Sequence, residues 1–211
     1  MEPEIIYRLV IAQTVLLGFQ IVIYFGVEIF EKDPHDVSSE IDGKIPLVPI
    51  TALLYILWFP LIALFPVFLY GGDPEQYGIY MASVVADIII SAIIYLAYPT
   101  TFERAEPPQV VGSRLLKLIY RASFKGMNCV PSLHCSLCYI VIACSFAAVG
   151  LSPAVRAVAI ITAVLIVIST LTTKQHVMID VVSALPVAAI AVAAGVLVDN
   201  GWLILFIGSV K

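Results

Sequence analysis

The chain has 211 residues, of which 61% are hydrophobic and 12% charged, and its formal net charge is −4. A soluble domain carries about 25% charged residues. The composition and the mean hydropathy of +1.04 therefore exclude an ordinary soluble protein and indicate an integral membrane protein. The small net charge argues against nucleic-acid binding.

Six apolar segments follow one another along the chain, and each is close to the roughly 20 residues that a helix needs to cross a bilayer. They predict an all-α bundle of six transmembrane helices in one membrane-embedded domain, residues 1–211. The predicted helices are 5–30, 48–70, 76–98, 131–149, 154–173 and 177–207. Six crossings place both termini on one side of the membrane, and the loops 31–46, 99–129 and 174–180 on the other.

The connection between the third and fourth helices contains a second kind of helix signal. Leu115, Leu116, Leu118 and Ile119 alternate with basic residues at helical spacing. This pattern predicts a short amphipathic helix in the headgroup layer, with its basic side chains toward lipid phosphates. A solvated connector with interfacial anchors is the alternative.

Two polar islands interrupt the second half of the chain, at 128–134 and 169–180. In the second island, His176 and Asp180 are four residues apart and share a face if both belong to a helix. A carboxylate bonded to one imidazole nitrogen fixes the tautomer and raises the basicity of the other nitrogen. A nucleophilic histidine requires this arrangement, although a structural hydrogen bond would leave the same pattern.

The first island opens the fourth helix. Pro131 suits a first helical turn, and the unpaired N–H groups there, with the Ser132 hydroxyl, can hold an anion. His134 could protonate a departing alkoxide. His134 and His176 are 42 positions apart; at about 1.5 Å per residue this is roughly 63 Å, or two crossings of about 30 Å. Both histidines are therefore predicted at one membrane face.

The positions of several other polar residues predict a role for each of them. Lys174 and Arg104 would supply the positive charge that a phosphate needs, and Asn128 and Gln175 flank the islands as possible headgroup contacts. His35 belongs to an acidic loop and is predicted to be solvated. The remaining assignments are a hydrogen bond from Asp87 to a neighbouring helix and helix packing by Cys129, Cys135, Cys138 and Cys144, which lack zinc-finger spacing.

The two islands resemble a known family. P-S-L-H at 131–134 and S-T-L-T-T-K-Q-H-V-M-I-D at 169–180 are similar to the second and third motifs, P-S-G-H and S-R-x5-H-x3-D, of the type-2 phosphatidic acid phosphatase superfamily of lipid phosphatases and phosphotransferases. D-G-K-I-P-L-V-P…W-F-P at 42–60 resembles the start of the second helix in the branch of inositol-phosphorylceramide and other sphingolipid-type synthases. The similarity extends from residue 42 to about residue 186.

The resemblance implies a role for each matching residue. His176 would be the nucleophile that forms a phosphohistidine, and Asp180 would orient and activate it. His134 would be the general acid for the leaving group. Ser132 would bind the phosphate together with Arg104, which matches the arginine of the first motif, K-x6-R-P. The resemblance implies neither a metal nor another cofactor.

The chain departs from the family pattern in all three motifs. Ala97 and Ala105 replace the lysine and proline of the first motif, Leu133 replaces the glycine of the second, and Thr170 replaces the arginine of the third. On a continuous helix, Lys174 would point from the same face as Thr170, one turn nearer His176. We expect Lys174 to replace the missing arginine if the helix continues that far.

Together these residues predict a metal-independent membrane phosphatase acting on a lipid phosphomonoester or diphosphate, of the phosphatidic acid or isoprenyl diphosphate type. A headgroup transferase, of the inositol-phosphate or phosphocholine synthase type, would use the same residues. A non-catalytic membrane protein that binds anionic lipid is the third hypothesis. The expected partners are the lipid phosphate substrate and the bilayer, with no nucleic acid; no oligomeric state is predicted.

The distribution of basic residues conflicts with the orientation that the resemblance implies. Most of the eleven Lys and Arg residues fall on the site side, and the termini side has only Arg8, Arg156 and Lys211. The positive-inside rule would put the site in the cytoplasm, whereas the family faces it outward. We expect an extracytoplasmic site and cytoplasmic termini in the cell membrane. The site-side residues are Lys32, Lys44, Arg104, Arg114, Lys117, Arg121, Lys125 and Lys174.

Overall fold

A computed structural model describes residues 1–30, 32–122 and 128–209 of the chain. Lys125 and Lys211, which entered the predicted charge distribution, lie outside these residues, as does Glu31 at the start of the first loop. The described part is almost entirely helical, so the prediction of an all-α protein is confirmed.

The helices follow the apolar segments, with shorter helices in the loops. In chain order within the described residues, the α-helices are α1 Pro3–Phe30, α2 Glu40–Lys44, α3 Ala52–Tyr55, α4 Trp58–Gly72, α5 Pro74–Ala97, α6 Ser113–Ala122, α7 Leu133–Ala147, α8 Pro153–Thr172, α9 Met178–Leu197 and α10 Gly201–Gly208. A 3₁₀ turn, Pro49–Thr51, precedes α3. The strands β1 His35–Asp36 and β2 Thr100–Thr101 pair in parallel, with His35 opposite Thr100.

Five stretches of the described chain are long and apolar enough to cross a membrane: α1, Pro49–Gly72, α5, α8 and α9. The fourth predicted helix is also apolar, but α7 has only 15 residues. Its N-terminal end is set by Ser132, whose hydroxyl accepts a hydrogen bond from the Cys135 N–H and caps the helix.

Two predicted helices are interrupted. In the second, α3 ends at Tyr55 and α4 begins at Trp58, so that Pro60 lies in a first turn, where a missing N–H costs little. The predicted sixth helix is wrong beyond Leu197. There the Asn200 side-chain amide donates to the carbonyls of Gly195 and Val198, and the chain turns before α10 begins.

Helix α9 packs closely on α5 and α7. One face of it has only small buried residues, namely Ala184, Ala188, Ala191 and Gly195. A Cβ atom at Gly195 would overlap the Ser83 hydroxyl of α5. Small residues at this spacing let helix backbones approach each other closely. The start of α9 lies beside the start of α7, where the Ser132 N–H donates to the Asp180 carbonyl.

One end of the bundle holds both described termini. The Arg8 side chain donates to the Ser209 hydroxyl at 2.9 Å, and Tyr70 lies beside Gly208. At the same end the turn after α4 meets the turn after α7, because a Cβ atom at Gly72 would lie 2.8 Å from the Gly150 carbonyl oxygen.

The other end collects the three polar loops, as predicted. The β1–β2 ladder joins the first loop to the segment after α5. The Val48 N–H donates to the Thr172 carbonyl at 2.8 Å, and the Ser132 N–H donates to the Asp180 carbonyl at 3.2 Å.

Helix α6 also lies at this end, against the 3₁₀ turn and α3. Leu116 is fully buried there, whereas Arg114, Lys117 and Arg121 are exposed, so α6 is amphipathic, and its place in the headgroup layer stays a prediction. The Tyr120 hydroxyl donates to the Thr173 carbonyl at 2.8 Å, which joins α6 to the turn that precedes α9.

Candidate active site

The site is built around His176 and Asp180 at the start of α9. His176 Nδ1 lies 2.9 Å from Asp180 Oδ2, and the same oxygen accepts the Val177 N–H at 3.0 Å. Asp180 therefore caps its own helix and holds the imidazole at once. The pair was expected on one helix face, but His176 precedes the helix, so the contact comes from the capping turn. With Nδ1–H bound to the carboxylate, Nε2 keeps its lone pair.

His134 faces this pair from the first turn of α7. The ring centroids of His134 and His176 are 5.8 Å apart, so the predicted meeting of the two histidines is confirmed. The His134 ring also stacks on Tyr55 at 4.7 Å and lies 4.6 Å from the Trp58 ring. Tyr55 and Trp58 therefore form aromatic walls beside the His134 ring.

Three polar contacts fix the chain before His134. The Tyr95 hydroxyl donates to the Pro131 carbonyl at 2.6 Å, and the Ser132 backbone is bonded to Asp180. The Ser132 side chain is fully buried and caps α7, and it does not line the cavity beside the histidines. The structure thus gives Ser132 a positioning contact, and its phosphate contact stays a prediction.

A cavity of about 530 Å³ extends from the two histidines. Arg104, Asn128 and Gln175 line its polar end. The remainder is apolar and aromatic, and it reaches the outer face of the bundle between α1 and α4. There Ile21, Phe25 and Phe59 are 57%, 53% and 60% exposed. The shape fits a molecule with one polar end and a long apolar tail.

No family model, curated protein or solved structure matches this chain. The family resemblance stated from the sequence therefore stays a prediction that rests on sequence motifs alone. The structure brings His134 next to the His176–Asp180 pair, although His134 lies 42 residues before His176 in the chain.

Arg104 reaches the cavity from the segment after β2. Its guanidinium carbon lies 5.8 Å from the Phe102 ring centroid and 5.3 Å from that of Tyr120. Burial raises the pKa of Tyr120 to about 12, although the positive charge of Arg104 acts in the opposite direction. The Tyr120 hydroxyl therefore stays protonated and keeps its bond to the Thr173 carbonyl.

Gln175 and Asn128 are both buried in the cavity wall, where headgroup contacts were predicted. The Gln175 side-chain nitrogen has no hydrogen-bond partner among the described residues. A buried amide without a partner costs about 1–3 kcal/mol, so a ligand oxygen placed there would gain that donor.

Lys174 does not lie where the sequence suggested. Helix α8 ends at Thr172, and Lys174 has a left-handed backbone conformation with φ of 51°. The helix is not continuous from Thr170, so the inferred shared face is wrong. The Lys174 ammonium donates to the carbonyls of Asp42 and Ile45, each at 2.6 Å, and it is not part of the cavity wall.

The structure also bears on two predictions for residues outside the cavity wall. Asp87 accepts a hydrogen bond from the Ser136 hydroxyl of α7 at 2.7 Å, so its predicted contact with a neighbouring helix is confirmed. His35 is exposed and stacks on Tyr98, as fits a loop residue. Among the residues that the structure describes, no three His, Cys, Asp or Glu side chains are grouped to hold a metal ion.

The sequence did not predict the aromatic walls around His134 or the buried carboxylate of Asp42 next to the His176 turn. The signal for Tyr55 and Trp58 was their i, i+3 spacing beside the proline-rich segment, which fits a packing face equally well.

Proposed function

We propose that this protein is a membrane-embedded lipid phosphatase that hydrolyses a phosphomonoester or diphosphate of a lipid through a phosphohistidine. The observation that carries the proposal is the facing of His134 and the His176–Asp180 pair at the polar end of an apolar cavity. A nucleophile with an oriented partner, and an acid on the opposite side, are the groups that this chemistry needs.

In the first step, Nε2 of His176 attacks the phosphorus atom while the bond from phosphorus to the lipid oxygen breaks. His134, as imidazolium, donates its proton to the departing oxygen. Asp180 keeps its hydrogen bond to Nδ1–H and stabilises the positive charge that develops on the His176 ring. The lipid product leaves with its new hydroxyl hydrogen.

In the second step, water attacks the phosphorus atom and the P–N bond breaks. His134, now neutral, takes the proton of the water and returns to its starting state. Inorganic phosphate leaves, and His176 Nε2 recovers its lone pair. Arg104 and the Gln175 amide would stabilise the phosphoryl oxygens in both transition states.

The apolar helices support an arrangement of six crossings, with α7 as the short one, α6 in the headgroup layer and the α1–α4 opening toward lipid. The proposed orientation is an extracytoplasmic site with cytoplasmic termini in the cell membrane. A C-terminal tag that resists external protease in intact cells supports this orientation, and a digested tag contradicts it.

One observation favours a headgroup transferase as the second candidate. The His176 side chain is only 10% exposed, and the cavity is mostly apolar. An alcohol delivered from the membrane, such as a diacylglycerol or ceramide, would reach the phosphohistidine more readily than bulk water. Attack by its oxygen would give a phosphodiester in place of free phosphate.

The first experiment is a product analysis of the purified protein without added metal. Phosphatidic acid, an isoprenyl diphosphate, and a phospholipid mixed with ceramide are offered to wild type, His176→Ala and the control His35→Ala. Free phosphate that is lost only in His176→Ala supports the phosphatase. A new phospholipid without free phosphate supports the transferase, and neither product from any donor supports a non-catalytic lipid-binding protein.

A further inference from the structure

We propose that Asp42 is a positioning residue that, together with Lys174, holds the His176 turn in its reactive geometry; this inference rests on the proposed function. Asp42 does not line the cavity and is 9% exposed. It comes from α2, in the first polar loop, far from His176 in sequence. Its contacts lie on both sides of His176.

The first contact is made to the start of α9. Asp42 Oδ1 accepts the Met178 N–H at 2.7 Å. Met178 is the first residue of α9, so its N–H has no partner within the helix. Asp180 already binds the Val177 N–H. Two carboxylates from different segments therefore hold consecutive N–H groups directly after His176.

The second contact is made to the residue two positions before His176. The Lys174 ammonium donates to the carbonyl oxygens of Asp42 and Ile45. Lys174 has a left-handed backbone conformation, which costs about 1 kcal/mol or more for a residue with a Cβ atom. The two carbonyls hold this conformation, so both ends of the five-residue turn 174–178 are bound to the same loop.

Asp42 itself is firmly placed. Its other oxygen, Oδ2, accepts the Ser39 N–H at 2.8 Å and the Ser39 hydroxyl at 2.5 Å. Burial acts to raise the pKa of Asp42, but the hydrogen bonds from Ser39 and Met178 and the positive charge of Lys174 outweigh it, so that the pKa lies below its ordinary value. Asp42 is thus ionised at neutral pH, and its bond to Met178 is charge-assisted.

Loss of the contacts made by Asp42 and Lys174 would still allow the His176–Asp180 hydrogen bond. It would, however, release the turn 174–178, which holds His176 in position. A misplacement of about 1 Å at a reacting group can lower a rate by about 100-fold. Because Asp42 touches neither substrate nor reacting atoms, its loss should lower kcat and leave KM nearly unchanged.

The test compares Asp42→Asn with Asp36→Asn. An amide has one accepting oxygen, so asparagine at position 42 cannot accept both the Met178 N–H and the Ser39 donors, and it also loses the charge. Asp36 is a matched control, because its carboxylate also accepts the N–H and hydroxyl of a nearby serine, Ser38, but it is exposed and has no bond to α9 among the described contacts. Lys174→Met and Lys174→Arg form a second pair, since arginine can still donate to both carbonyls. Phosphohistidine formation is followed by rapid quench, with a short-chain phosphatidic acid as substrate.

We expect Asp42→Asn and Lys174→Met to slow phosphohistidine formation by about 100-fold with KM within about threefold, and Asp36→Asn and Lys174→Arg to stay near wild type. Wild-type kcat in Asp42→Asn, or an equal loss in Asp36→Asn, overturns the proposal. A change in KM alone also overturns it.

A second readout does not depend on activity. In ¹⁵N-histidine-labelled protein, the His176 ring signals report the Nδ1–H tautomer. If wild type shows no turnover, the proposed function fails, yet a His176 shift in Asp42→Asn and not in Asp36→Asn still supports the positioning role. Unchanged His176 signals in Asp42→Asn overturn that role even if wild type is active.

Discussion

The His134 and His176 rings stand 5.8 Å apart between centroids, on segments that begin two different helices. A phosphoryl group beside both rings can have its phosphorus atom near a nitrogen of one histidine and its leaving oxygen near a nitrogen of the other. One histidine can then act as nucleophile and the other as acid. This separation leads directly to a test of His134.

His134→Ala should slow hydrolysis of an alkyl phosphate lipid by about 10²–10⁴-fold, since the alkoxide then leaves without a proton. An aryl phosphate with a stable phenolate leaving group should lose much less activity, because it needs no acid. Steady-state rates on both substrates measure the difference. Equal losses on the two substrates would show that His134 is not the acid.

Asp180→Asn should lower kcat by about 10³–10⁴-fold while the protein stays folded. An asparagine amide oxygen can still accept both the Val177 N–H and Nδ1–H, but it carries no negative charge to stabilise the positive charge that develops on the His176 ring. Phosphohistidine formation and the thermal midpoint in detergent are measured together. The control is Asp87→Asn, a buried carboxylate bonded to Ser136; if it loses phosphohistidine as fully as Asp180→Asn, the effect is not local to the pair.

Ile21→Trp should obstruct the opening between α1 and α4. Ile21 lines the cavity, whereas its neighbour Val22 is 69% exposed and does not, so Val22→Trp is the matched control. We expect a drop of about tenfold in kcat/KM for a long-chain lipid phosphate in Ile21→Trp, equivalent to about 1.4 kcal/mol. A short-chain soluble analogue should be unaffected. Identical behaviour of the two variants would mean that substrate reaches the histidines by another route.

Ser136→Ala should destabilise the bundle by about 1–3 kcal/mol, because it removes the described hydrogen bond to the buried Asp87 carboxylate. Ser145 lies on the same helix, is equally buried and has no partner for its hydroxyl in the described structure. Ser145→Ala should therefore be neutral or slightly stabilising. Thermal unfolding in detergent measures the stability of both variants. An equal loss of stability would show that the cost comes from packing and not from the hydrogen bond.

Stability should depend on Asp42 in acid. Burial opposes its ionisation, but hydrogen bonds and Lys174 bring its pKa below the ordinary value of 3.8. A carboxylate with a lowered folded pKa stabilises the protein fully above its unfolded pKa, and this contribution disappears as the pH falls through the folded value. As the pH falls below about 4, the thermal midpoint of wild type should thus fall more steeply than that of Asp42→Asn. Parallel curves would contradict this prediction.

Helix rise and membrane thickness predicted that the two histidines lie near each other, because the length of chain between them returns position 176 to the end of the bundle that holds position 134. The amphipathic pattern likewise located α6. The conformation of Lys174 could not be predicted this way, since it depends on carbonyls of a loop about 130 residues earlier in the chain. The Ser132 hydroxyl could equally have capped α7 or bound an anion, and only the packed structure distinguishes these uses.

The break after Leu197 has a similar cause. The segment 177–207 is apolar enough for one helix, but the Asn200 amide binds the last carbonyls of α9 and ends it. Aromatic residues such as Tyr55 and Trp58 are typical of both membrane cores and binding sites, so their placement around His134 needed the tertiary structure.

The contact between Gly72 and Gly150 affects how the bundle can move. Neither turn leaves room for a side chain, and the Asp73 carboxylate accepts the Val149 N–H at 2.9 Å beside them. The α4–α5 and α7–α8 hairpins are therefore joined at the end farthest from the histidines. If one hairpin tilts on the other about this junction, the histidine end of the bundle is displaced most, while the distance between the two glycines hardly changes.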